Sequence, residues 1–386
     1  MSKRFSGLVP IILLSLVPTL LIWLPFLLRL ESFWTIPLPT AGMATIVANY
    51  DGPLYLVVAK TLYKADLIKS MFQFTLPTEY YAAHFPLFPL LIKLFAPLFG
   101  HIYSMLLVSI SSSVLALYFF FKLAADTVNK KSALWLTTIF ALLPARWLIV
   151  RSVGSAEPLF IASIIASIYF FRKKQYVFAG IWGALAQLTK SPGILLFVAY
   201  AAAIVFPHLR YLATHSFSGW VEKLQLKKVY PLLLIPLALI LLFAFYGYAM
   251  GDFFAYFNSG DNRHIFFPPF TIFNYSAPWV GTFWLEEILF VYLIGALGIA
   301  KLFEQKKEIM AWFAGIFFAS ILFVAHRDIL RYALPVVPFL IIAFADTLNK
   351  KAFKYVFALI VIPSYLFALT YISQNVMPIS NWTPFL

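Results

Sequence analysis

The chain has 386 residues, of which 62% are hydrophobic, 19% aromatic and 11% charged, and its net charge is +14. Its mean hydropathy is +0.88. A water-soluble globular protein is excluded, because such proteins carry about 45–50% apolar and about 25% charged residues. The composition predicts an all-α polytopic membrane protein. The sequence contains no cysteine, which excludes disulfides, thiolate metal sites and cysteine nucleophiles.

Apolar runs predict eleven membrane-spanning helices. The first, residues 8–28, follows Lys3 and Arg4 and is too long for a signal-peptide core, so we interpret it as an uncleaved anchor with a cytoplasmic N-terminus. The pair 176–189 and 193–207 is interrupted at Lys190 to Gly193 and is either two spans or a re-entrant hairpin. The other runs are centred near residues 102–125, 133–150, 156–171, 230–249, 284–300, 309–325, 332–348 and 353–372.

The distribution of charge supports this topology. The predicted cytoplasmic connections hold 18 of the 29 basic residues with five acids, a net charge of +13, whereas the outer side has a net charge of only +1. The basic character is therefore mainly a topology signal, and a nucleic-acid partner is not predicted. The C-terminus is expected outside, in a multi-pass protein of a prokaryotic plasma membrane.

Two outer connections are long, residues 31–100 and residues 250–283, and long loops commonly carry function. No internal repeat or low-complexity linker appears, so residues 1–386 are predicted to form one domain.

The first outer loop carries Asp51 at the start of a predicted amphipathic helix at the membrane surface, with Lys60, Lys64 and Lys69 on its polar side. Backbone N–H groups and the helix dipole favour an ionised carboxylate at this position, which suits a general base. An ordinary helix cap before Pro53 is the alternative interpretation.

An aromatic and proline-rich stretch follows, from Glu79 through His84 to Leu90. Its prolines predict a rigid, non-helical entry to the next apolar segment. Glu79 and His84 are candidates for proton transfer or for ligating a metal, although a histidine beside aromatic residues more often packs as an ordinary side chain. A divalent metal is left open and is not predicted.

Five cations lie at the outer ends of four different spans. Such a set would suit a lipid phosphate or pyrophosphate, because guanidinium groups match phosphate oxygens in bidentate fashion; single charges at span ends are also commonly anchors. Glu157 begins a span and is expected to pair with one of them. The five cations are Arg146, Arg151, Lys190, Arg327 and Arg331.

The second outer loop places Arg263 and His264 among many aromatic residues. This composition suits sugar stacking or a position in the membrane interface, and we favour the interface for the aromatic residues. No phosphate-binding loop for ATP, zinc-protease motif or hydrolase nucleophile elbow is present. Any chemistry is therefore expected on the outer face.

Several motifs resemble those of the PIG-V-like integral membrane mannosyltransferases, which have the GT-C fold. Tyr50-Asp51 through Tyr63 resembles the family's Trp-Asp-x-x-x-Tyr-x-x-Ile-Ala-x-x-Gly-Tyr signature, with Tyr50 for its tryptophan and Leu62 for its glycine. Five other stretches are similar and occur in the family's order: 85–90 (Phe-Pro-Leu-Phe-Pro-Leu), 155–160 around Glu157, 179–193, 251–257 and 331–335. Within 179–193, Lys190 replaces the family's arginine and Pro192 its asparagine.

The resemblance implies transfer of a sugar, usually mannose, from a polyprenyl-phosphate carrier, with inversion at the anomeric carbon. It implies that Asp51 is the base on the acceptor hydroxyl. The acceptor is a glycan, a lipid or a protein. In the mechanism that we infer from the residues, the cations above hold the carrier phosphate. The residues expected to orient the substrates are Tyr50, Tyr55, Glu79, His84, Glu157, Arg263 and His264.

The primary hypothesis is accordingly a GT-C glycosyltransferase with its active site on the outer face. One alternative is a flippase or transporter of lipid-linked sugars, although transporters usually show paired halves and charges near the bilayer midplane. Another is a glycan polymer ligase that uses a lipid pyrophosphate donor, whose catalytic residues would be expected in a large late outer loop.

Overall fold

The computed structural model of the chain describes residues 8–72, 76–209, 217–262, 264–277, 279–280 and 285–386. The prediction of an all-α protein is confirmed, apart from a small hairpin of β1 (Ser32–Phe33) and β2 (Ile36–Pro37). The helices of the first half are α1 (Leu8–Leu27), α2 (Met43–Val47), α3 (Gly52–Thr61), α4 (Ala65–Met71), α5 (Leu87–Ala125), α6 (Lys130–Leu142), α7 (Ala145–Ser152), α8 (Glu157–Arg172) and α9 (Tyr176–Thr189).

The second half continues with helices and short 3-10 turns. The helices are α10 (Ile194–Val205), α11 (Phe217–Lys223), α12 (Leu226–Val229), α13 (Leu234–Met250), α14 (Glu286–Glu304), α15 (Glu308–Ile321), α16 (Ile329–Ala333), α17 (Val337–Ala343), α18 (Ala345–Leu348) and α19 (Lys351–Gln374). Two buried hydrophobic clusters hold them together, one among α5 to α10 and α14 to α19, and one around the first outer loop.

By length and composition, five helical segments of the described chain could cross a membrane, or six if a bent pair counts as one span. Shorter apolar helices cover Tyr176–Thr189, Glu308–Ile321 and Ile329–Ala343. The number of eleven spans therefore stays a prediction. The five segments are Leu8–Leu27, Leu87–Ala125, Ser191–His208, Leu226–Met250 and Lys351–Gln374.

The predicted span 133–150 is not straight. It is divided into α6 and α7, which are bent by 71° relative to each other. Leu143 between them is extended, with φ −131° and ψ 147°, because the ring of Pro144 disfavours the helical conformation of the residue before it. The bend turns α7 and Arg146 away from the axis of α6.

The first outer loop differs from the prediction of one interfacial amphipathic helix. α3 is buried from Gly52 to Ala59 and ends at Leu62, which is left-handed with φ 50°. Only α4 behaves as a surface helix, with Ile68 buried and most of its other residues exposed. The expected non-helical entry is limited to residues 84–86: α5 begins at Leu87, since the first turn of a helix tolerates Pro89.

Three antiparallel segments connect the two ends of the molecule. α8 runs from Glu157 to Arg172, α9 returns to Lys190, and α10 runs back after a 3-10 turn over Ser191–Gly193. Each is a separate helix, and the turn between α9 and α10 lies beside Glu157. This arrangement brings Glu157 and Lys190 to one end of the fold. Two spans and a re-entrant hairpin both stay predictions for residues 176–207.

The C-terminal tail packs against the first outer loop. The Met377 N–H donates to the carbonyl of Ala48 at 2.8 Å, and the Lys60 ammonium donates to the carbonyl of Pro384 at 2.7 Å. The tail and the first loop therefore lie at the same end of the molecule.

Candidate active site

Asp51 lies at the start of α3 with its carboxylate directed away from the helix backbone. Its side chain makes no capping hydrogen bond, is 38% exposed, and has Oδ2 3.6 Å from Arg331 Nη2. The preceding residue, Tyr50, is left-handed with φ 48°. The position is that of a cap, as the alternative interpretation expected, but the carboxylate faces a cation.

The turn before Asp51 is anchored by the last helix. Asn49 is buried and donates to the carbonyl of Ile372 at 2.7 Å, while Asn375 donates to Asn49 Oδ1 at 3.2 Å. The side-chain amides of Asn49 and Asn375 thus form the hydrogen bonds that join the turn before Asp51 to the last helix. The site is consequently assembled from the two ends of the chain.

Glu157 and Lys190 form the expected ion pair. Lys190 Nζ lies 2.5 Å from Glu157 Oε1, and both side chains are largely buried. The hydroxyl of Ser155 donates to the second oxygen, Glu157 Oε2. Glu157 begins α8 and Lys190 follows the end of α9, so the pair also ties two helix ends together.

Arg331 is surrounded by three carboxylates but is bound tightly by none of them. Arg331 Nε lies 3.4 Å from Glu157 Oε1 and 3.8 Å from Asp328 Oδ2, and Asp51 is reached only through Nη2 at 3.6 Å. Among the described residues, the buried Nε–H has no hydrogen-bond acceptor. The guanidinium also lies 4.5 Å from the ring centre of Tyr50, so it is held in place while donor capacity remains unused.

Arg146 and Asp328 form the second part of the cluster. Arg146 Nε is 2.8 Å from Asp328 Oδ1, although the contact is not aligned as a hydrogen bond, and Nε and Nη1 have no acceptor within the described parts of the chain. Tyr371 donates to Asp328 Oδ2 at 3.2 Å, and its ring centre lies 3.7 Å from the Arg146 guanidinium.

Sequence reasoning missed Asp328 and Tyr371. The signal for Asp328 is a polar run, His326-Arg327-Asp328, between two apolar segments. No local signal marks Tyr371, since it lies in the apolar helix α19 and reaches the site through tertiary packing alone. Burial raises the pKa of Asp328, while Arg331 and Arg146 oppose that effect.

The assembled cluster is electrically balanced. Asp51, Glu157 and Asp328 face Arg146, Lys190 and Arg331, and the contacts above connect all six. A further anion entering the site therefore has to share these cations with the resident carboxylates. Arg327 differs, because its side chain is exposed and makes no ion pair within the described residues.

His84 and Tyr55 pack against each other, and the charge of Asp51 acts on both. Their ring centres are 5.1 Å apart, and His84 is buried, with no hydrogen-bond partner for Nδ1 among the described residues. Burial lowers the pKa of His84, against the opposing influence of the nearby Asp51. Burial therefore favours the neutral form of this imidazole.

His264 joins the rim of the site through His326. The two rings are 4.3 Å apart, and the Asp328 N–H donates to His326 Nδ1 at 3.0 Å. Burial, helped by His264 and Arg331, lowers the pKa of His326 to about 3. Arg263 lies outside the described residues, and Glu79 is exposed and forms no ion pair in the part of the chain that is described.

Arg151 is not part of the cluster, contrary to its prediction as a phosphate ligand. It is fully buried, and its Nη2 donates to the carbonyls of Leu14 at 3.2 Å and Ser15 at 3.0 Å. Pro18 in α1 has no N–H, so the carbonyl of Leu14, four residues earlier, lacks its helical hydrogen-bond donor. Arg151 supplies the missing donor and is a structural residue.

The aromatic residues of the second outer loop are mostly exposed, which suits the interface interpretation. They include Phe253, Phe254, Phe257, Phe266, Phe267 and Phe270. No group of three or more histidine or acidic side chains that could hold a metal is found among the described residues.

The chain shares its fold with solved membrane proteins, in keeping with the GT-C fold that the sequence motifs implied. The chain is similar to ArnT from Cupriavidus metallidurans, solved bound to undecaprenyl phosphate, with 13% identity and a TM-score of 0.57 over 94% of this chain and 64% of that one. It is also similar to the Archaeoglobus fulgidus oligosaccharyltransferase solved with zinc and sulfate, with 16% identity and a TM-score of 0.53 over 96% and 54% of the chains.

A second structure of the archaeal oligosaccharyltransferase, AglB with an inhibitory peptide and a dolichol-phosphate, gives 14% identity and a TM-score of 0.51 over 95% and 57% of the chains. At these identities the likeness concerns the fold. The chain spans about 54–64% of the length of these proteins. No family model and no curated protein sequence matches it.

Proposed function

We propose that the protein is a glycosyltransferase that moves a sugar from a polyprenyl-phosphate carrier to an acceptor hydroxyl. The observation that carries this proposal is the partly exposed carboxylate of Asp51 beside Arg331, a buried guanidinium with an unused N–H donor. A base and a phosphate-binding cation are thereby adjacent, as a transfer with phosphate as the leaving group requires. The fold neighbours solved with undecaprenyl phosphate and dolichol-phosphate support a carrier of this kind.

In the proposed reaction, Asp51 takes the proton of the acceptor hydroxyl while the hydroxyl oxygen attacks the anomeric carbon. The bond from that carbon to the phosphate oxygen breaks, and its electron pair leaves with the polyprenyl phosphate. Attack opposite to the leaving group inverts the anomeric configuration. A positioned base of this kind contributes roughly 10²–10⁴-fold to the rate.

Arg331 and Arg146 would stabilise the phosphate as it departs. Their side chains are largely buried, which strengthens charge interactions, and Arg331 Nε and Arg146 Nη1, which have no hydrogen-bond acceptor among the described residues, are available to donate to phosphate oxygens. The exposed Arg327 would meet the phosphate at the rim. Lys190 has a short contact with Glu157, so its main role would be to position Glu157 and, through it, Arg331.

The finer assignment is to the PIG-V-like mannosyltransferases, with mannose as the sugar and a glycan, lipid or protein as the acceptor. It rests on the order of the motifs around Asp51, Glu157, Lys190 and Arg331, and all four of these residues take part in ion pairs of the cluster. We further propose that the protein resides in a prokaryotic plasma membrane with this cluster on the outer face. The charge distribution supports that orientation.

The test is a transfer assay with purified protein and a radiolabelled polyprenyl-phosphate mannose, using an extract of cell-surface glycans and lipids as acceptors. Labelled product that forms with the wild type and not with Asp51→Asn supports the proposal. If labelled donor instead crosses liposome membranes unchanged, the protein is a transporter. If only a pyrophosphate-linked donor is consumed, it is a ligase.

A further inference from the structure

A second region rich in cations lies at the end of the fold remote from Asp51. α8 has 16 residues, which corresponds to roughly 24 Å, and it separates Glu157 in the active-site cluster from Arg172. Beside Arg172 is a cavity of about 930 Å³, whose lining includes Lys174, His208, Lys223 and Lys228. An adjoining cavity of about 500 Å³ is lined by Arg172, Lys306 and Lys307.

The two cavities form one basic region, because both are lined by Phe171, Lys174, Tyr176 and Ala203. The larger cavity has no acidic residue in its described lining. The smaller one has Asp126, whose carboxylate is 2.9 Å from Lys173, and Glu308. Positive charge therefore exceeds negative charge throughout.

Two features distinguish this region from a merely basic surface. Arg172 Nη1 is buried without a hydrogen-bond partner among the described residues, and leaving such a donor unsatisfied is costly. The first turn of α9, from Tyr176, also lines the larger cavity, and helix N-termini attract anions through their free N–H groups. Both features are those of a site for an anion.

The surroundings of the cavity indicate a lipid. Val177 and Phe178, which line it, each expose 52% of their surface, and Ile204 contributes to its wall. Apolar side chains beside a basic pocket at the ends of helices suit acyl chains next to an anionic headgroup. Enrichment of lysine on one side of a membrane would explain the charge but neither the cavity nor the buried Arg172 donor.

We propose that this basic region binds the phosphate headgroup of an anionic membrane phospholipid, with Lys174 and Lys228 of the larger cavity and Arg172 of the adjoining one as its cations, and with Val177 and Phe178 contacting the acyl chains. The site is separate from the proposed donor site and does not depend on the proposed function. The bound lipid would hold the ends of α8, α9 and α10 against the segment 223–229.

The experiment measures retention of phosphatidylglycerol and phosphatidylcholine by the detergent-purified full chain in native mass spectrometry. The wild type is expected to retain phosphatidylglycerol preferentially. At roughly fivefold per lysine, the double variant K174Q/K228Q should lose about 30-fold of that affinity. Both lysines are exposed, so the variant is expected to fold, and an unchanged melting temperature without lipid would verify this.

The matched control is K130Q/K131Q, which removes the same charge from two exposed lysines outside the cavity lining. It should retain phosphatidylglycerol as the wild type does. Equal retention of the two lipids by the wild type, or an equal loss in both double variants, would overturn the proposal. Displacement of phosphatidylglycerol by millimolar glycerol phosphate would also overturn it, in favour of a soluble phosphate ligand.

Discussion

Arg331 Nη2 lies 3.6 Å from Asp51 Oδ2, close enough for attraction but beyond hydrogen-bond length. Arg331 also faces Glu157 and Asp328 at 3.4 Å and 3.8 Å, so its charge is shared among three carboxylates. A phosphate with better geometry could therefore draw Arg331 towards itself and release Asp51. Donor binding would then both satisfy the arginine and free the base for the acceptor.

Replacement of Arg331 tests the phosphate contact. Arg331→Gln is expected to reduce transfer by about 10²–10³-fold, as loss of one buried donor to a developing anion commonly does. Arg331→Lys should recover part of the activity, since lysine keeps the positive charge but lacks the planar guanidinium group that binds phosphate in a bidentate manner. The measurement is the initial rate of transfer at a saturating donor concentration, and Lys69→Gln in the exposed helix α4 is the control. If the activity of Arg331→Gln stays within twofold of that of the wild type, the assignment is refuted.

Asp328 is expected to act by positioning Arg146 and Arg331. Asp328→Asn keeps both cations but removes the charge that fixes them, so kcat should fall by about tenfold or more while KM for the donor changes little. Tyr371→Phe removes one hydrogen bond to Asp328 and keeps the ring against Arg146, so its effect should be smaller, about fivefold. A rise in KM with unchanged kcat for Asp328→Asn would contradict this role.

His326 predicts sensitivity to acid. Its pKa is lowered to about 3 by burial, whereas the pKa of a histidine in an unfolded chain is about 6.5. Between these two pH values the unfolded state binds more protons than the folded state. The free energy of unfolding should therefore decrease as pH falls from about 6.5 towards 3.

The melting temperature in detergent at pH 7.5 and pH 5 measures this effect. His326→Asn retains an acceptor for the Asp328 N–H but does not titrate, and it should narrow the difference between the two pH values. His84, which is also buried with a lowered pKa, would account for the remaining difference. An identical pH dependence in the variant would exclude His326 as a contributor.

A close helix contact predicts a difference between two glycines. A Cβ at Gly180 would lie 2.1 Å from the carbonyl oxygen of Pro231, whereas one at Gly247 would meet nothing nearer than 3.7 Å. Gly180→Ala should destabilise the protein by about 1–3 kcal/mol, and Gly247→Ala should be neutral or stabilising by up to about 1 kcal/mol. Comparable melting temperatures for the two variants would show that α9 and the 230–233 turn can separate.

The sequence predicted the parts of the site that have local signals. Asp51 begins a helix after a polar turn, Glu157 begins an apolar run, and Lys190 interrupts one, so each was visible without knowledge of the fold. Arg146 and Arg331 were also identified, as cations at span ends. Their pairing partners could not be assigned, because contacts between distant segments depend on tertiary packing.

The errors have the same origin. Arg151 has the sequence signature of the other cations, yet the carbonyl freed by Pro18 in a different helix turns it into a structural donor. The predicted amphipathic helix around Val57 and Lys60 is buried by the C-terminal tail and the neighbouring helices. Periodicity alone cannot distinguish a lipid surface from a protein surface as the partner of an apolar face.

The most direct test measures both binding and transfer in Asp51→Asn. If Asp51 is the base and also competes with the donor phosphate for Arg331, the variant should lose transfer by roughly 10²–10⁴-fold and bind polyprenyl phosphate more tightly than the wild type. The affinity is measured by titration of the purified proteins with polyprenyl phosphate. Unchanged transfer, or weaker binding of polyprenyl phosphate by a folded variant, would contradict the account.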